Sequence, residues 1–193
     1  MDRATFMKSY WRYYILLEKK FIGTLNYVEL TKDNFPTYSV EYAHQLLAVG
    51  SELDTFFKVF CGFNLSDQGR IKEYTRHIVS EYPQIMNQGV EIRNTDITLT
   101  PYEAWRSWNS YSGNLLSWWN AYNLVKHNRQ ENIAKASMEN VITSLAALHL
   151  IEMKYLQVIT EETKEVDEPD DDSELFRLTD WEYRLTFVHS IFK

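Results

Sequence analysis

The sequence predicts an all-α protein: a bundle of four to five main helices with a short irregular or hairpin insertion near 84–104, in a single domain over residues 1–193. Apolar residues recur at three- and four-residue spacings through most of the chain, as in amphipathic helices. The chain has only six glycines and four prolines, and no Pro/Gly/Ser-rich linker divides it. Hydrophobic residues make up 45% of its 193 residues, enough to bury a substantial core.

Apolar spacing and capping residues place the first three helices. The first is predicted over residues 5–27. Ser39 is a suitable N-cap for a second helix over 39–61, and Gly62 can close its C-terminus. A third helix is predicted to begin at residue 66 or 67 and to end at about 82, because proline follows.

The middle and the end of the chain have apolar patterns that differ from those of the first three predicted helices. Residues 84–104 break the helical period, and two short pieces within them alternate as strands do, so we expect a loop with a minor hairpin. Helical spacing then returns in two segments separated by a polar break, at 114–127, 128–132 and 133–159. Residues 175–193 are too apolar for a free tail, so they must dock, either as a helix or as short strands.

Segment 161–174 carries most of the net charge. It holds nine acids and one lysine, a charge of −8, so the rest of the chain sums to +1 of the total of −7. Because like charges repel and the segment has one apolar residue, Val166, we expect a mobile acidic loop that folding does not require. The near-neutral remainder leaves room for a local basic patch and hence for a nucleic-acid partner.

Cysteine content and segment hydropathy point to a cytoplasmic protein. Cys61 is the single cysteine, so an intrachain disulfide is excluded and a reducing compartment fits. The N-terminal residues lack the pattern of a secretion signal, and no apolar run reaches the length of a membrane span, so no membrane partner is expected. We expect no cofactor either, because the phosphate-loop, dinucleotide-binding and metalloprotease motifs are absent.

The segment most suggestive of chemistry lies at the end of the predicted helix over 114–127. Asn123 and His127 fall on one helix face at a four-residue step, and Lys126 and Arg129 flank the helix end. An imidazole beside two cations and an amide could move a proton and hold a phosphate, the two needs of metal-free RNA cleavage. The alternative is structural, because His, Lys and Arg at a helix C-terminus also cap carbonyls and suit the helix dipole.

The same segment carries a family resemblance. The run Tyr122–Arg129, together with the stretch Ser51–Asp54 and Lys58 on the second helix, resembles uncharacterised bacterial and phage proteins with a HEPN-like helical bundle. The resemblance covers about a third of the chain. It implies a helical, commonly dimeric protein that cleaves or binds RNA without a metal, in a phage-defence or toxin–antitoxin setting.

The chain departs from the catalytic pattern of that family. The pattern is an arginine separated from a histidine by four to six residues, and His127 lacks it, since the relevant upstream positions are Asn120–Tyr122. Two other pairs have the spacing, Arg70 with His77 and Arg184 with His189, but such pairs arise readily by chance. The resemblance therefore leaves cleavage, RNA binding and loss of both open.

Two further groups allow two interpretations each. Glu52 and Asp54 could orient the His127 imidazole, or they could simply pair with a cation such as Lys58. The doublet Trp118–Trp119 could stack bases, but aromatics at helical spacing are more often core. The chain's twenty-nine aromatics also favour a homo-oligomer, most simply a dimer, so a non-enzymatic interaction module is the alternative to an RNA-directed protein.

Overall fold

The computed structural model describes residues 1–66, 69–109 and 116–183, and five long helices dominate this part of the chain. Helix α1 is continuous but has three stretches, of which the middle one is a π-helical turn. The helices are α1 (Arg3–Phe6, Met7–Trp11, Arg12–Thr24), α2 (Val40–Phe60), α3 (Ile71–Glu81), α4 (Ser117–His127) and α5 (Met138–Thr163). Shorter turns are Lys32–Asn34, Pro83–Met86, Glu103–Ser107, Arg129–Asn132 and Ile133–Lys135.

Local capping explains where the best-predicted helix begins and ends. The Ser39 hydroxyl accepts a hydrogen bond from the Tyr42 N–H at 3.0 Å, which satisfies one of the free donors of the α2 N-terminus. Just beyond α2, Gly62 has a φ of 68°, a left-handed conformation that glycine adopts without strain. The predicted bounds of this helix are confirmed.

Two predicted helix starts are wrong. Helix α3 begins at Ile71, after Arg70, whose backbone N–H donates to the Glu73 carboxylate at 3.0 Å. Helix α5 begins at Met138 after the N-cap Ser137, because residues 133–135 form a 3₁₀ turn instead. Apolar spacing continues across the start of α5, whereas residues 66–70 before α3 are polar or glycine and offer several caps, so in both places only the structure shows where the helix begins.

Ring contacts show how α1, α2, α4 and α5 pack as a four-helix bundle. Phe6 lies 5.6 Å from Tyr155 at one end, and Phe21 lies 6.3 Å from Tyr42 at the other. Helix α1 therefore runs opposite to α2 and α5. Helix α4 also runs opposite to α2, since Trp119 lies 5.7 Å from Phe57 while Tyr122 packs on Gly50.

The all-α prediction holds only coarsely, because the protein also contains a small antiparallel sheet of three strands. The strands are β1 (Val90–Ile92), β2 (Thr98–Leu99) and β3 (Phe176–Leu178), in the order β2-β1-β3. The hairpin expected within 84–104 is present as β1 and β2. The third strand comes from the C-terminal region, where Val90 pairs with Leu178, so part of that region docks as a strand.

Most aromatic side chains are inside the bundle. Trp118 and Trp119 are 1% and 6% exposed, which confirms their interpretation as core. The largest fully buried side chains also include rings from α1, α2, α3 and β3. Most aromatics of the described residues are thus hidden within one chain, so their number alone does not argue for an oligomer, and the dimer stays a prediction.

The acidic segment does not behave as a solvated loop. Helix α5 extends into it as far as Thr163. The Arg3 guanidinium then donates to the Val166 carbonyl at 3.0 Å and to the Asp170 carboxylate at 2.7 Å, and the Trp11 indole donates to the Asp171 carbonyl at 2.8 Å. Residues 164–172, named the strap below, are therefore docked on α1.

A buried carboxylate fixes the chain just beyond the strap. Glu18 of α1 is completely buried and accepts from the Tyr14 hydroxyl at 2.6 Å, from the Glu174 N–H at 3.0 Å and from the Ser173 hydroxyl. Charge-assisted bonds of this kind compensate the desolvation of a buried carboxylate. Since strand β3 begins two residues after Glu174, Glu18 links α1 to the sheet.

Gly50→Ala is expected to destabilise the protein by about 1–3 kcal/mol, because the added Cβ would overlap the Tyr122 ring. Thermal or denaturant unfolding measures the change. Gly23→Ala in α1 is the matched control, since its added Cβ meets no atom within 4 Å. That control should be neutral or should stabilise by up to about 1 kcal/mol. Equal effects of the two substitutions would contradict the close approach of α4 to α2.

Replacement of the strap by a short Gly/Ser linker is expected to lower the Tm by about 8 °C or more, a couple of kcal/mol for a chain of this size. Arg3→Ala alone should lower the Tm as well. In the strap-replaced protein the same substitution should have little further effect, because its partners are gone. An unchanged Tm after strap replacement would restore the prediction of a dispensable loop.

Candidate functional site

Four helix ends meet at one end of the bundle, and the candidate residues lie there. Helices α1 and α4 end here, while α2 and α5 begin here. The chain segments before α2 and α5 are joined by backbone bonds, from the Met138 N–H to the Thr37 carbonyl at 2.8 Å and from the Glu139 N–H to the Phe35 carbonyl at 3.1 Å. The end of α4 is therefore held beside the start of both neighbouring helices.

Lys126, His127 and Arg129 are all exposed at this end, and we call them the basic turn. Within the described part of the chain, the side chains of His127 and Arg129 have no hydrogen-bond or ion-pair partner. The turn itself is ordered by its neighbours: the Asn128 side chain accepts from the Glu131 N–H at 3.4 Å, and the Asn132 amide donates to the Asn128 carbonyl at 2.8 Å. An ordered backbone thus presents three solvated basic side chains.

The structure gives Asn123 and Lys126 local partners within α4. The Asn123 amide donates to the Trp119 carbonyl one turn earlier, at 2.8 Å. The Lys126 ammonium donates to the Tyr122 hydroxyl at 3.2 Å and lies 5.2 Å from the centre of that ring. The Asn123 amide is therefore bonded within its own helix, whereas Lys126 stays exposed.

The acids of α2 do not meet His127. Gly50 packs on Tyr122, and because α2 and α4 run in opposite directions, Glu52 and Asp54 lie on one side of this contact and His127 on the other. At 1.5 Å per residue the axial separation from His127 is about 10 Å for Glu52 and about 14 Å for Asp54. One chain therefore does not bring either acid to the imidazole.

Asp54 has the role of an ion-pair partner. Its carboxylate lies 3.7 Å from the Lys58 ammonium and accepts from the Tyr74 hydroxyl at 3.3 Å. Burial, with the negative charge of Asp54 next, raises the pKa of Tyr74. The pairing with Lys58 that the sequence allowed is confirmed.

Half-buried Glu52 lies near a buried acid that sequence reasoning missed, Glu152 of α5. Glu152 is 0% exposed, and its two carboxylate oxygens have no hydrogen-bond partner. Burial raises the pKa of Glu152 well above its usual range, and the charge of Glu52 adds to the effect. Burial also raises the pKa of Glu52 to about 6, and that of Tyr10 beside both acids is raised as well. The surroundings of Glu152 thus favour its protonated form over the carboxylate.

His149, one turn before Glu152, is a neutral buried imidazole. Burial lowers its pKa to about 3, with a smaller contribution from Arg93. Its ring packs against Trp11, Tyr14 and Phe176 at centroid distances of 5.3 to 5.7 Å. The sequence signal for this interior polarity was a histidine and a glutamate interrupting the apolar run of α5. In the described ranges, no three His, Cys, Asp or Glu side chains gather as a metal site.

Of the two arginine–histidine pairs with the family spacing, the structure describes Arg70 with His77. Arg70 is exposed at the start of α3, and His77 is half-buried two turns later with its ring 6.2 Å from that of Phe63. Both lie on the α3 side of the molecule, away from the basic turn. The pair Arg184 and His189 lies outside the described residues.

Comparison of the chain with protein-family models, with curated proteins and with solved structures finds no match. Among the helices that the structure describes, none is both long and apolar enough to cross a membrane. The assignment of a function therefore rests on the geometry of the site and on the sequence resemblance.

Glu152→Met is expected to stabilise the protein by about 1–3 kcal/mol at pH 8. The substitution replaces an unpaired buried carboxyl group by an apolar side chain of similar shape. Since the folded-state pKa of Glu152 is raised, wild-type stability falls as pH rises above the unfolded value near 4.5. The advantage of the variant should therefore be smaller at pH 5. Thermal melts at both pH values measure it.

Glu139→Met on the exposed surface of α5 is the control for this comparison. It should change the Tm little and by similar amounts at both pH values. Because the charge of Glu52 contributes to the raised pKa of Glu152, the pH dependence of the difference reports on the two acids together. A stability difference independent of pH would contradict the raised pKa of Glu152.

Proposed function

We propose that this chain is a HEPN-like protein that binds RNA through the basic turn. The observation that carries the proposal is the exposed His127 imidazole between two exposed cations, Lys126 and Arg129, at an ordered helix end. Exposed cations with an ordered backbone fit a run of phosphates, and cationic contacts supply most of the affinity of non-specific RNA binding. The sequence resemblance is the reason for naming RNA as the polyanion.

The unpaired state of His127 and Arg129 favours binding over a structural role. A histidine that caps carbonyls or joins a turn would have its ring nitrogens bonded within the chain, and no such bond is present in the described residues. Solvated side chains cost little to redirect toward a ligand. The turn between α4 and α5 is also held by the Asn128 cap, so the backbone that carries these side chains already has its position.

The same geometry favours binding over cleavage in a single chain. Metal-free cleavage needs one group to take the proton of the ribose hydroxyl and another to protonate the leaving oxygen. His127 can serve as one of them. Within the described residues, neither acid of α2 reaches it as the second group, because Glu52 lies near Glu152 and Asp54 beside Lys58.

Combined replacement of Lys126, His127 and Arg129 by Ala is expected to weaken RNA binding at least tenfold. Removal of two cations should also reduce the slope of log K against log salt by about 1.4, at about 0.7 per phosphate contact for single strands. Fluorescence anisotropy with a labelled single-stranded RNA at several salt concentrations measures both. The Tm should stay nearly unchanged, because all three side chains are exposed.

Lys72→Ala with Arg76→Ala on α3 is the matched control, since it removes two exposed cations elsewhere. An equal loss of RNA binding in the control would show a general charge effect and would contradict a site at the basic turn. Incubation of the same RNA with chelator present tests cleavage. If the RNA is cleaved and His127→Ala lowers the cleavage rate about a hundredfold, the protein is an RNase. If the RNA stays intact, RNA binding without cleavage is the function that remains.

A second candidate function is a homo-oligomeric interaction module. Its support is a set of exposed apolar side chains, Tyr13 and Leu16 on α1 and Tyr38 and Val40 at the start of α2. Exposed apolar side chains mark a protein interface where they form one contiguous patch, so this function requires the four to be covered together by a second chain. Light scattering at tens of micromolar protein tests the idea, and a single species of 23.0 kDa would contradict it.

A further inference from the structure

The outer side of α1 carries a stripe of side chains that no part of the described chain covers. Tyr13, Leu16, Lys20 and Gly23 follow one another at steps of three, four and three residues, so they share one face of the helix, and all four are exposed. Tyr13 is 41% exposed and Leu16 is 51% exposed. This spacing is that of the contact positions of a coiled coil, although the stripe faces solvent in a single chain.

No contact within the described chain requires a glycine at position 23. A Cβ added there meets no atom within 4 Å, and the backbone is not in the left-handed region. Glycine lowers the stability of a helix relative to alanine, so its presence needs another reason. The absence of a side chain on the exposed stripe allows a group from outside the chain to approach the backbone of α1 closely.

A cavity of about 490 Å³ opens beside Gly23, between the end of α1 and the start of α2. Its walls include Lys20, Gly23 and Tyr27 on the side of α1 and Glu41 on the side of α2. Tyr27 is 89% exposed, so its ring forms an open edge of the cavity. The stripe therefore has a projecting ring, Tyr13, near one end and a recess near the other.

We propose that this face binds a second copy of the chain, with the two α1 helices packed antiparallel about a two-fold axis near residue 18. Tyr13 of each chain then lies opposite Gly23 of the other, because both positions are five residues from the axis. Leu16 lies opposite Lys20 for the same reason. The Tyr13 ring of one chain enters the cavity of the other, and the aliphatic stem of Lys20 covers Leu16.

Self-complementarity is the reason for a second copy as the occupant. A two-fold interface uses the same patch twice, so each projection must find its recess on an identical surface. The stripe meets this requirement, since its largest side chain falls opposite its smallest residue in one register. Inside the chain, the Tyr122 ring packs on Gly50 in the same way between the antiparallel helices α4 and α2.

The exposed area of this face fits a weak dimer. At about 150–250 Å² for a whole tyrosine side chain, the exposed parts of Tyr13 and Tyr27, with that of Leu16, amount to roughly 350 Å² in each chain. With the cavity walls and the stem of Lys20, two chains bury on the order of 1,000 Å², the lower limit of specific interfaces. We therefore expect dissociation in the micromolar range.

This arrangement keeps the two basic turns apart. Helix α4 packs on α2 and α5, across the bundle from α1, and the antiparallel pairing points the two bundles in opposite directions. The two His127 side chains therefore do not meet, and the dimer builds no shared cleavage site. The inference rests on the homo-oligomer as second candidate function, to which it assigns one surface, and it is independent of RNA binding at the basic turn.

Sedimentation velocity between about 1 and 100 µM protein measures the dimer. Wild type is expected to form a species of twice the 23.0 kDa chain mass at the upper end of this range. Tyr13→Ala should raise the dissociation constant at least tenfold, because it leaves the cavity of the other chain empty. Since exposed Arg12 and Lys19 flank the stripe in both chains, salt should tighten the dimer, whereas salt weakens RNA binding.

Gly23→Phe supplies a readout that a purely structural role would not move. Its ring takes the place of the Tyr13 ring from the other chain, so the dimer should be lost. Within its own chain the position is open, so the Tm of dilute protein should stay the same or rise. Lys72→Phe on α3 is the matched control, because it adds the same ring at another exposed position and should leave the dimer unchanged.

A charge exchange tests the register. Leu16→Lys places an ammonium group opposite Lys20 of the other chain and should abolish the dimer. Leu16→Lys combined with Lys20→Glu puts opposite charges at the facing positions and should restore it. Leu16→Lys combined with Lys19→Glu is the matched control, since it has the same net charge but its acid lies beside the stripe, and it should stay monomeric.

The outcomes separate this surface from the oligomer itself. Wild type that stays monomeric at about 100 µM overturns both. A dimer that persists in Tyr13→Ala and Gly23→Phe overturns this surface and leaves a homo-oligomer that forms through other residues. Equal restoration of the dimer by the two double variants overturns the antiparallel register. None of these results bears on RNA binding at the basic turn, which anisotropy measures separately.

Discussion

The close approach of α4 to α2 at Gly50 is the constraint on which the geometry of the site depends. Because Gly50 has no side chain, the Tyr122 ring lies directly against the backbone of α2. This contact and the neighbouring contact between the Phe57 and Trp119 rings set the direction of α4 and its position along the axis of α2. The basic turn therefore emerges at the end where α2 and α5 begin, away from Glu52 and Asp54. A larger residue at position 50 would move the turn and the core together.

Two buried glutamates show how differently the interior treats a carboxylate. Glu18 is surrounded by donors from Tyr14, Ser173 and the backbone N–H groups of residues 174 and 175, so its charge is compensated and it ties the C-terminal region to α1. Glu152 has apolar neighbours and a second acid, Glu52, and it has no donor. The first carboxylate holds the fold together. The second lowers stability as pH rises, and an interior that retains such a group gives up part of its margin of stability.

Much of the architecture could be predicted because it depends on local interactions. The bounds of α2 follow from the Ser39 cap and the left-handed Gly62, and the burial of Trp118 and Trp119 follows from helical spacing. The start of α5 was harder to predict, because Ile133–Lys135 continues the apolar pattern of the helix although it forms a 3₁₀ turn. The docked strap could not be foreseen from its charge, since the compensating guanidinium of Arg3 lies more than 160 residues earlier.

The sequence by itself determined the helical class, the main helices and a polar, basic segment at the end of α4, because each depends on neighbours a few residues apart. Only the tertiary structure decided which groups meet. It added β3 to the predicted hairpin, placed Glu52 beside Glu152 instead of His127, and built a cavity between α1 and α2. Spacing along a helix shows which residues share a face, but helix packing decides what that face meets. The environment of an acid or a histidine, and with it the chemistry available, is therefore set by residues remote in the chain.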